Sequence, residues 1–324
     1  MTSKKNKIAL GVLAYNEEVY IQSVVEQLEK LNLDIYIVND FSTDSTSAIL
    51  NKFNKNKKVS IINNKKNLGA GESTKVLLQY AKNNSIDFLI KVDGDGQFSI
   101  GDVEKIIDLY INNDYQFIKS NRFWKDGIVG KIPKIRFLGN IFATLLMQLA
   151  SGTNKLYDPL NGLFGVSIEI VDTLTTKTYP RRYGYPFFIT VTAVLNNFKT
   201  VQINNTVSYR NEKSNLNSIK VLITLLKLTL FFYFQKFKLK KFEANLQKSA
   251  FFDVLFFSSF AFFLSSIIYF ILTTFFLVSS FIKSSNLLLI IIFLLITSFY
   301  FFIMAFKAEA VFRNLIISNF DKNL

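Results

Sequence analysis

The chain has 324 residues, which is long enough for one large domain or two small ones with proper cores. Its formal charge is +14, from 38 Lys and Arg against 24 Asp and Glu, which favours a polyanionic partner: anionic lipid, nucleic acid or a phosphate-rich substrate. The absence of cysteine and histidine excludes disulfides, thiol nucleophiles, the usual structural zinc sites and every histidine-based triad. Any metal must be held by oxygen ligands, so Mg²⁺, Mn²⁺ or Ca²⁺ is favoured.

Short β-branched runs alternate with longer segments of helical spacing from Lys7 to Ile118. The predicted strands are Ile8–Ala14, Ile35–Val38, Val59–Ile62, Phe88–Val92 and Phe117–Ile118. The predicted helices are Glu17–Leu31, Ser42–Phe53, Gly71–Lys82 and Asp102–Ile111. This alternation predicts an α/β fold, a mostly parallel sheet with helices on both faces. The short basic N-terminus does not resemble a secretory signal, so we expect the front of the chain in the cytoplasm.

Polar clusters follow four of these strands directly. Such sheets bind ligands beyond the carboxyl ends of their strands, at a switch in strand order, so the clusters predict one composite pocket. The clusters are Asn16–Glu18, Asn39–Asp44, Asn63–Gly71 and Asp93–Gln97.

The fourth cluster carries the sharpest chemical signal. Asp93 and Asp95 lie two residues apart among glycines, and Gln97 adds an oxygen donor. This set suits a hard cation that also touches substrate phosphates, and the alternative is a solvated acidic turn. In the second cluster, Asp40 is placed either to bind a ribose or base edge or to cap the next helix. Asn67–Gly71 is too short for a P-loop; it either offers backbone N–H groups to phosphate or merely turns the chain.

After residue 119 the pattern is less regular. Phe137–Ala150 predicts a helix, Leu156–Tyr185 a loop-rich segment, and residues 187–209 a further helix followed by the strand Thr200–Tyr209. Basic residues recur through this region, and as a group they could bind a lipid phosphate. They are Arg122, Lys125, Lys131, Lys134, Arg136, Arg181, Arg182 and Arg210. Aromatic residues are few among them, so nucleic acid is not expected as a partner.

The C-terminal third is strongly apolar. Val254–Phe281 and Leu287–Phe306 contain no charged residue, and a bilayer core of about 30 Å needs roughly 20 helical residues. Two transmembrane helices are therefore predicted, the alternative being the buried hairpin of a soluble protein. Lysines before the first and after the second place both ends in the cytoplasm. Ile219–Phe234 is shorter and carries two lysines, which predicts an interfacial helix rather than a third span.

Taken together, these residues resemble the inverting family-2 glycosyltransferases of GT-A fold, in the branch of dolichyl-phosphate mannose synthases and bacterial polyprenyl-phosphate glycosyltransferases. The matching motifs are Leu13 to Glu18, Val38 to Asp44, Asp93 to Gln97, Asn121 to Phe123, Asp158 to Phe164 and Arg210 to Ser214. The chain departs from the family pattern at Leu13, Asn39, Phe41, Phe164 and the Phe187–Ile189 segment.

The resemblance implies a sugar transfer from a UDP- or GDP-linked sugar to polyprenyl (undecaprenyl or dolichyl) phosphate at the cytoplasmic membrane face. It implies Mg²⁺ or Mn²⁺ held by Asp93, Asp95 and Gln97. The implied donor-binding residues are Ala14, Tyr15, Glu17, Asp40, Gly71, Asp93 and Ser214. The implied catalytic residues are Asp95, Arg122, Arg136 and Arg210. The lipid phosphate is already ionised at neutral pH, so no strong general base is required.

The implied domains are a cytoplasmic catalytic domain (1–215), a juxtamembrane segment (216–250) and a transmembrane hairpin with its tail (251–324). Three alternatives stay open: a glycosyltransferase for another lipid or polysaccharide acceptor, a noncatalytic membrane-anchored binding protein, and a metal-dependent nucleotidyltransferase. The Gln-x-x-Arg-Trp motif of processive synthases is missing from the sequence. Whether the hairpins form a homo-oligomer is also open.

Overall fold

The computed structural model describes residues 7–123, 128–129, 134–174, 178–205, 207–208, 218–240, 247–275, 284–314 and 317–319. Two compact units are formed, each described by itself. The first takes its residues from Met1–Ser151, Lys155–Phe232 and Ile316–Leu324, and the second from Gly152–Asn154 and Tyr233–Leu315.

The first unit is built on a mostly parallel sheet. Its strands are β1 (Ile8–Ala14), β2 (Asp34–Asn39), β3 (Val59–Asn63), β4 (Phe88–Asp93), β5 (Phe117–Asn121), β7 (Phe164–Ser167), β8 (Thr200–Asn204) and β10 (Ile317–Asn319). Within the described residues the order is β10-β8-β5-β7-β4-β1-β2-β3, and β7 alone runs antiparallel to its neighbours. A separate pair joins β6 (Ile128–Val129) to β9 (Val207–Ser208).

Helices cover both faces of this sheet, which confirms the predicted α/β class. They are α1 (Ile21–Glu29), α2 (Thr46–Asn51), α3 (Ala70–Asn83), α4 (Ile100–Asn113), α5 (Lys134–Ser151) and α6 (Tyr185–Leu195), with α7 (Ser218–Lys240) beginning in this unit. Successive residues of a strand point to opposite faces, so Leu89 joins the core under α3, α5 and α6, whereas Ile90 joins the core under α1 and α4.

Several elements differ from the prediction. The second helix begins at Thr46, four residues later than the predicted Ser42, and the Asp44 carboxylate accepts the Thr46 N–H at this start. The segment expected to be loop-rich contains β7 and the 3₁₀ helix Ile168–Thr173. The predicted strand Thr200–Tyr209 is divided, since β8 ends at Asn204 and β9 pairs elsewhere.

The second unit is dominated by two long helices, α8 (Gln247–Phe275) and α9 (Ser284–Arg313). They pack antiparallel, since Ser249 Oγ donates to the Ala305 carbonyl at 2.8 Å and the rings of Phe256 and Phe302 lie 5.4 Å apart. Gln247–Tyr269 and Leu289–Val311 are long and apolar enough to cross a membrane, and only 11% of each is buried within the chain. The predicted apolar hairpin is confirmed, and its exposure argues against the core hairpin of a soluble protein.

Helix α7 has two different faces along its first part. Leu225, Leu228 and Phe232 are buried in the core of the first unit, whereas Ile219, Ile223 and other apolar side chains are exposed. Among the described helices, α7 does not meet the length and hydropathy of a membrane span. One face is thus fixed on the first unit, and the exposed face carries apolar side chains together with Lys220 and Lys227.

Candidate active site

The site lies where the strand order of the sheet reverses. Strand β1 lies between β2 and β4, so connections run outward on both sides of it and leave a crevice at the carboxyl ends. There Leu13 pairs with Asp93, and the Gly94 N–H donates to the Leu13 carbonyl at 2.9 Å. All four polar clusters come together at this end of the sheet as predicted, since the second is bonded to both the first and the third.

The acidic turn after β4 presents its carboxylates at this crevice. Asp95 Oδ1 accepts the Gln97 N–H at 3.0 Å, and Gly96 adopts a φ of +67° that tightens the turn. Asp93 keeps 43% of its side chain exposed. In the part of the chain that the structure describes, no three acidic side chains form a metal-binding group by themselves. Two carboxylates fit Mg²⁺ or Mn²⁺ when substrate phosphates complete the ligand set.

The buried side chain of Lys91 contacts the first carboxylate of this turn. Its Nζ forms an ion pair with Asp93 Oδ1 and donates to the Tyr185 hydroxyl at 2.6 Å, while its side chain is completely buried. Burial alone would lower the pKa of Lys91, but Asp93 and Tyr185 hold it above its ordinary value, so the lysine stays charged. Burial raises the pKa of Tyr185 to about 12. Any side chain at Gly162 would overlap Asp93 Oδ2.

Asp40 organises the loop that follows β3. Its two carboxylate oxygens accept the N–H groups of Leu68 and Gly69, each at 2.8 Å, and the Asn64 side-chain amide at 2.8 Å. Asp40 is 4% exposed, and its own N–H donates to the Ala14 carbonyl. The expected alternative, capping of the next helix, is therefore wrong: Asp40 fixes the loop before α3 instead.

The loops after β1 and β2 are bound to each other. Asn16 Oδ1 accepts the Thr43 N–H at 2.8 Å, and the Glu17 N–H donates to Thr46 Oγ1 at 2.8 Å. Tyr15 is 47% exposed beside them. Asn39 is buried and bonded to Ser42, Ser47 and Asn63. Tyr15 and Glu17 thus stand on a rigid base, and their donor-binding role stays a prediction.

Gly71 has a clear packing role. It lies beneath the chain at Pro180 and Arg181, where any side chain would overlap the Pro180 carbonyl, and its own carbonyl accepts the Tyr179 hydroxyl at 2.9 Å. The close approach brings the 180–182 segment onto the start of α3, and Arg182 Nη2 donates to Asn67 Oδ1 at 3.0 Å. This packing explains why a glycine is required at position 71, and its predicted donor-binding role stays a prediction.

A second group of buried charges follows β5. Arg122 holds Asp158 through two bonds of 2.8 Å, from Nε and Nη2. Burial would raise the pKa of Asp158, but Arg122 outweighs it and holds that pKa below its usual range. Lys119 lies nearby, and burial lowers its pKa to about 8. Arg122 is therefore already charge-balanced by Asp158, and its predicted role toward a phosphate stays a prediction.

Three predicted residues cannot be described further. Arg136 lies in α5, but its side chain is outside the described part of the structure, as are Arg210 and Ser214 altogether. Sequence reasoning assigned no role in the site to Lys91 or Tyr185, and it placed Gly162 in a family motif without its contact with Asp93. The position of Lys91 inside an apolar strand, two residues before Asp93, could have indicated that the two side chains meet.

The comparisons with known proteins agree with this geometry. The chain belongs to glycosyl transferase family 2, whose model matches residues 10–171. This confirms the family that the motifs indicated and places the chain among the glycosyltransferases.

Particular relatives are consistent with that class. An uncharacterised protein of Methanocaldococcus jannaschii is 27% identical over 68% of this chain and 96% of its own length. A UDP-N-acetylglucosamine–dolichyl-phosphate N-acetylglucosaminyltransferase of Methanococcus voltae is 30% identical over 54% of this chain and 75% of its own. The structure of glucosyl-3-phosphoglycerate synthase from Mycobacterium tuberculosis with UDP matches 69% of this chain and 80% of that one, with a TM-score of 0.54 and 20% identity. That likeness supports the fold alone.

Proposed function

We propose that this chain is an inverting, metal-dependent glycosyltransferase that moves a sugar from a nucleoside-diphosphate sugar to a polyprenyl phosphate. In this reaction an oxygen of the lipid phosphate forms a bond to the anomeric carbon, and the bond from that carbon to the donor's β-phosphate oxygen breaks. The products are the polyprenyl phosphosugar and a nucleoside diphosphate. The single observation that carries the proposal is the acidic turn of Asp93 and Asp95 at the switch crevice of a family-2 fold.

The acidic turn supports metal dependence. Asp93, Asp95 and Gln97 would hold Mg²⁺ or Mn²⁺, which would stabilise the charge that develops on the departing diphosphate. Tyr15 and Glu17 would hold the nucleoside, and Asp40 would contribute by fixing the loop that borders it. Because the attacking phosphate oxygen is already ionised, this chain needs no histidine base.

The acceptor is inferred from the helices and from the relative. The Methanococcus voltae relative is named for a dolichyl-phosphate acceptor, and the two apolar helices would anchor the chain in a membrane. The exposed apolar faces of α5 and α7 would rest on the bilayer at headgroup depth, where a carrier phosphate lies. Exposed side chains on α5 include Phe137, Leu138 and Leu145. Arg122, Arg136 and Arg210 would then neutralise the incoming phosphate.

The arrangement in the membrane follows from the charges. Basic residues before the apolar run Val254–Phe281, such as Lys248, and after the run Leu287–Phe306, at Lys307 and Arg313, would keep both ends in the cytoplasm, together with the catalytic domain of residues 1–215. The juxtamembrane segment 216–250 would link that domain to the hairpin of 251–324.

The direct test measures nucleoside diphosphate release by purified protein in detergent, with polyprenyl phosphate and a panel of UDP- and GDP-sugars. Release should require the lipid and Mn²⁺, stop with EDTA, and identify the donor. Release of pyrophosphate would indicate a nucleotidyltransferase instead, and release without the lipid would assign another acceptor. No release from any donor would leave the noncatalytic alternative.

A further inference from the structure

Asp93 is held by a buried cation that no family motif accounts for. Lys91 and Asp93 are two residues apart on β4, so their side chains leave the same face of the sheet. The Lys91 ammonium binds Asp93 Oδ1 and has no exposed surface of its own. It therefore acts on a ligand only through Asp93.

Tyr185 fixes the lysine from the other side. Its hydroxyl accepts a hydrogen bond from Lys91 Nζ at 2.6 Å and also bonds the side chain of Thr74, which is fully buried in α3. Tyr185 is itself 6% exposed, so this chain of contacts is closed to solvent. The lysine can therefore hardly turn away from Asp93.

The support for Tyr185 comes from neighbouring helices. Tyr185 opens α6, directly after Gly184, which has a φ of +89° and faces Thr224 and Leu228 of α7 at 3.4 Å from where a Cβ would stand. One turn later, Phe188 packs on Phe232 with ring centroids 4.9 Å apart. The start of α6 is thus wedged between the sheet and α7.

The far oxygen of Asp93 is also restricted, because Gly162 passes so close to Oδ2 that no side chain fits there. Asp93 Oδ1 is bound to the Lys91 ammonium, and Oδ2 has space beside it only because residue 162 is a glycine. The ammonium offsets one of the two carboxylate charges that Asp93 and Asp95 bring to the site.

We propose that Lys91 and Tyr185 are positioning residues of the donor site, which hold Asp93 in one orientation and limit the charge it offers to a divalent cation. This inference rests on the proposed metal-dependent function. The Lys91 charge lowers the affinity of the site for a divalent cation alone. Tight binding then requires the additional ligands of a donor diphosphate.

The test measures Mn²⁺ binding to the full-length chain in detergent, from the electron paramagnetic resonance signal of free Mn²⁺, without any donor. Lys91→Met, which keeps the length of the side chain but removes the ammonium, should bind Mn²⁺ about tenfold more tightly. The same variant should lose about tenfold or more in kcat, since Asp93 is no longer held in place. Tyr185→Phe should move both quantities in the same directions by a few fold. Lys105→Met, at an exposed lysine of α4, is the matched control and should change neither.

A purely structural ion pair would lower the amount of folded protein without tightening Mn²⁺ binding. Unchanged or weaker Mn²⁺ binding in Lys91→Met would therefore overturn the inference while leaving the proposed function intact. Should that variant not fold, Tyr185→Phe decides, because it retains the ring and removes only the hydroxyl. A wild-type protein that binds no Mn²⁺, alone or with UDP or GDP, would overturn both the inference and the metal dependence.

Discussion

Both units of the molecule bury charged side chains, but they enclose them differently. In the first unit, Asp93 and Arg122 keep 43% and 18% of their side chains exposed while their partners, Lys91 and Asp158, are completely buried. In the second, Lys236, Glu309 and Arg313 are all at most 2% exposed. The first unit leaves one member of each of these two ion pairs partly exposed, and the second closes its ion group entirely. We therefore expect changes at the half-open ion pairs of the first unit to affect activity, and changes at the closed ion group of the second to affect folding.

The largest effect is expected at the open acidic turn. Asp95→Asn should lower kcat by about 100-fold or more, because a neutral amide is a poor ligand for a hard cation and stabilises the leaving diphosphate less. The measurement is nucleoside diphosphate release at saturating Mn²⁺, donor and lipid. Glu104→Gln, at an exposed acid of α4, serves as the control. An Asp95→Asn variant with wild-type turnover would remove the acidic turn from the reaction.

The closed ion group should respond through stability. Lys236 Nζ lies 2.9 Å from Glu309 Oε2, and Arg313 Nε lies 3.7 Å from Oε1. Glu309→Gln removes the carboxylate charge that these two buried cations face, which should cost on the order of 3 kcal/mol. Thermal unfolding in detergent should show a lower midpoint. Turnover per folded molecule should stay near the wild-type value. A loss of turnover without a loss of stability would contradict the expectation that this ion group acts only on folding.

Lys119 should produce a stabilising change with a defined pH dependence. The pKa of this buried lysine is lowered from 10.5 to about 8, so the folded state disfavours its charged form. Below pH 8 the lysine is protonated in both the folded and the unfolded chain, and the folded state bears the full cost of a buried charge. Between about pH 8 and 10.5 the folded lysine loses its proton first, and the cost disappears.

Lys119→Met should therefore raise the free energy of unfolding by roughly 3 kcal/mol at pH 7, and by much less near pH 10. Unfolding midpoints at the two pH values provide the measurement. A gain in stability together with a loss of turnover would show that the charge is kept for function. A destabilised variant at pH 7 would show that Lys119 is better solvated or paired than its burial indicates.

The smallest effect is expected at the exposed Arg182, which contacts only the neutral Asn67 amide among its described hydrogen-bond partners. Arg182→Gln should change the free energy of unfolding by less than about 0.5 kcal/mol, since exposed polar contacts contribute little. Chemical denaturation of the variant beside wild type measures this difference. A larger loss would mean that the arginine fixes the 180–182 segment on α3, and that exposure is a poor guide in this unit.

The sheet was predictable where its strands are covered on both faces. Such strands form continuous apolar runs, and β1 matched its predicted bounds for that reason. β7 was missed because it has only four residues, one of them Gly165. It also lies antiparallel between β4 and β5, more than 40 residues after β5 in the chain, so the strand–helix alternation does not predict it. β10 was missed because a strand of three residues is too short to show the alternation of apolar and polar residues that identifies a strand.

The candidate site was predictable where its residues are close in sequence. Asp93 and Asp95 follow an apolar strand directly, and the fold brings them to the crevice as expected. The Lys91–Tyr185 contact joins residues 94 positions apart, and nothing local to either one indicates the other. The pairing of Arg122 with Asp158 was hidden in the same way, because both were visible only as separate motif residues.

The Asp40 hydrogen bonds have a consequence for the energetics of donor binding. Because this one carboxylate ties down Asn64, Leu68 and Gly69, the loop between β3 and α3 loses its conformational entropy when the chain folds, not when a ligand arrives. Under the proposed function, a nucleotide that enters the crevice would meet a loop whose conformation is already fixed. Calorimetric titration should then show the small heat-capacity change of a preformed pocket, without the large negative value that accompanies coupled folding and binding.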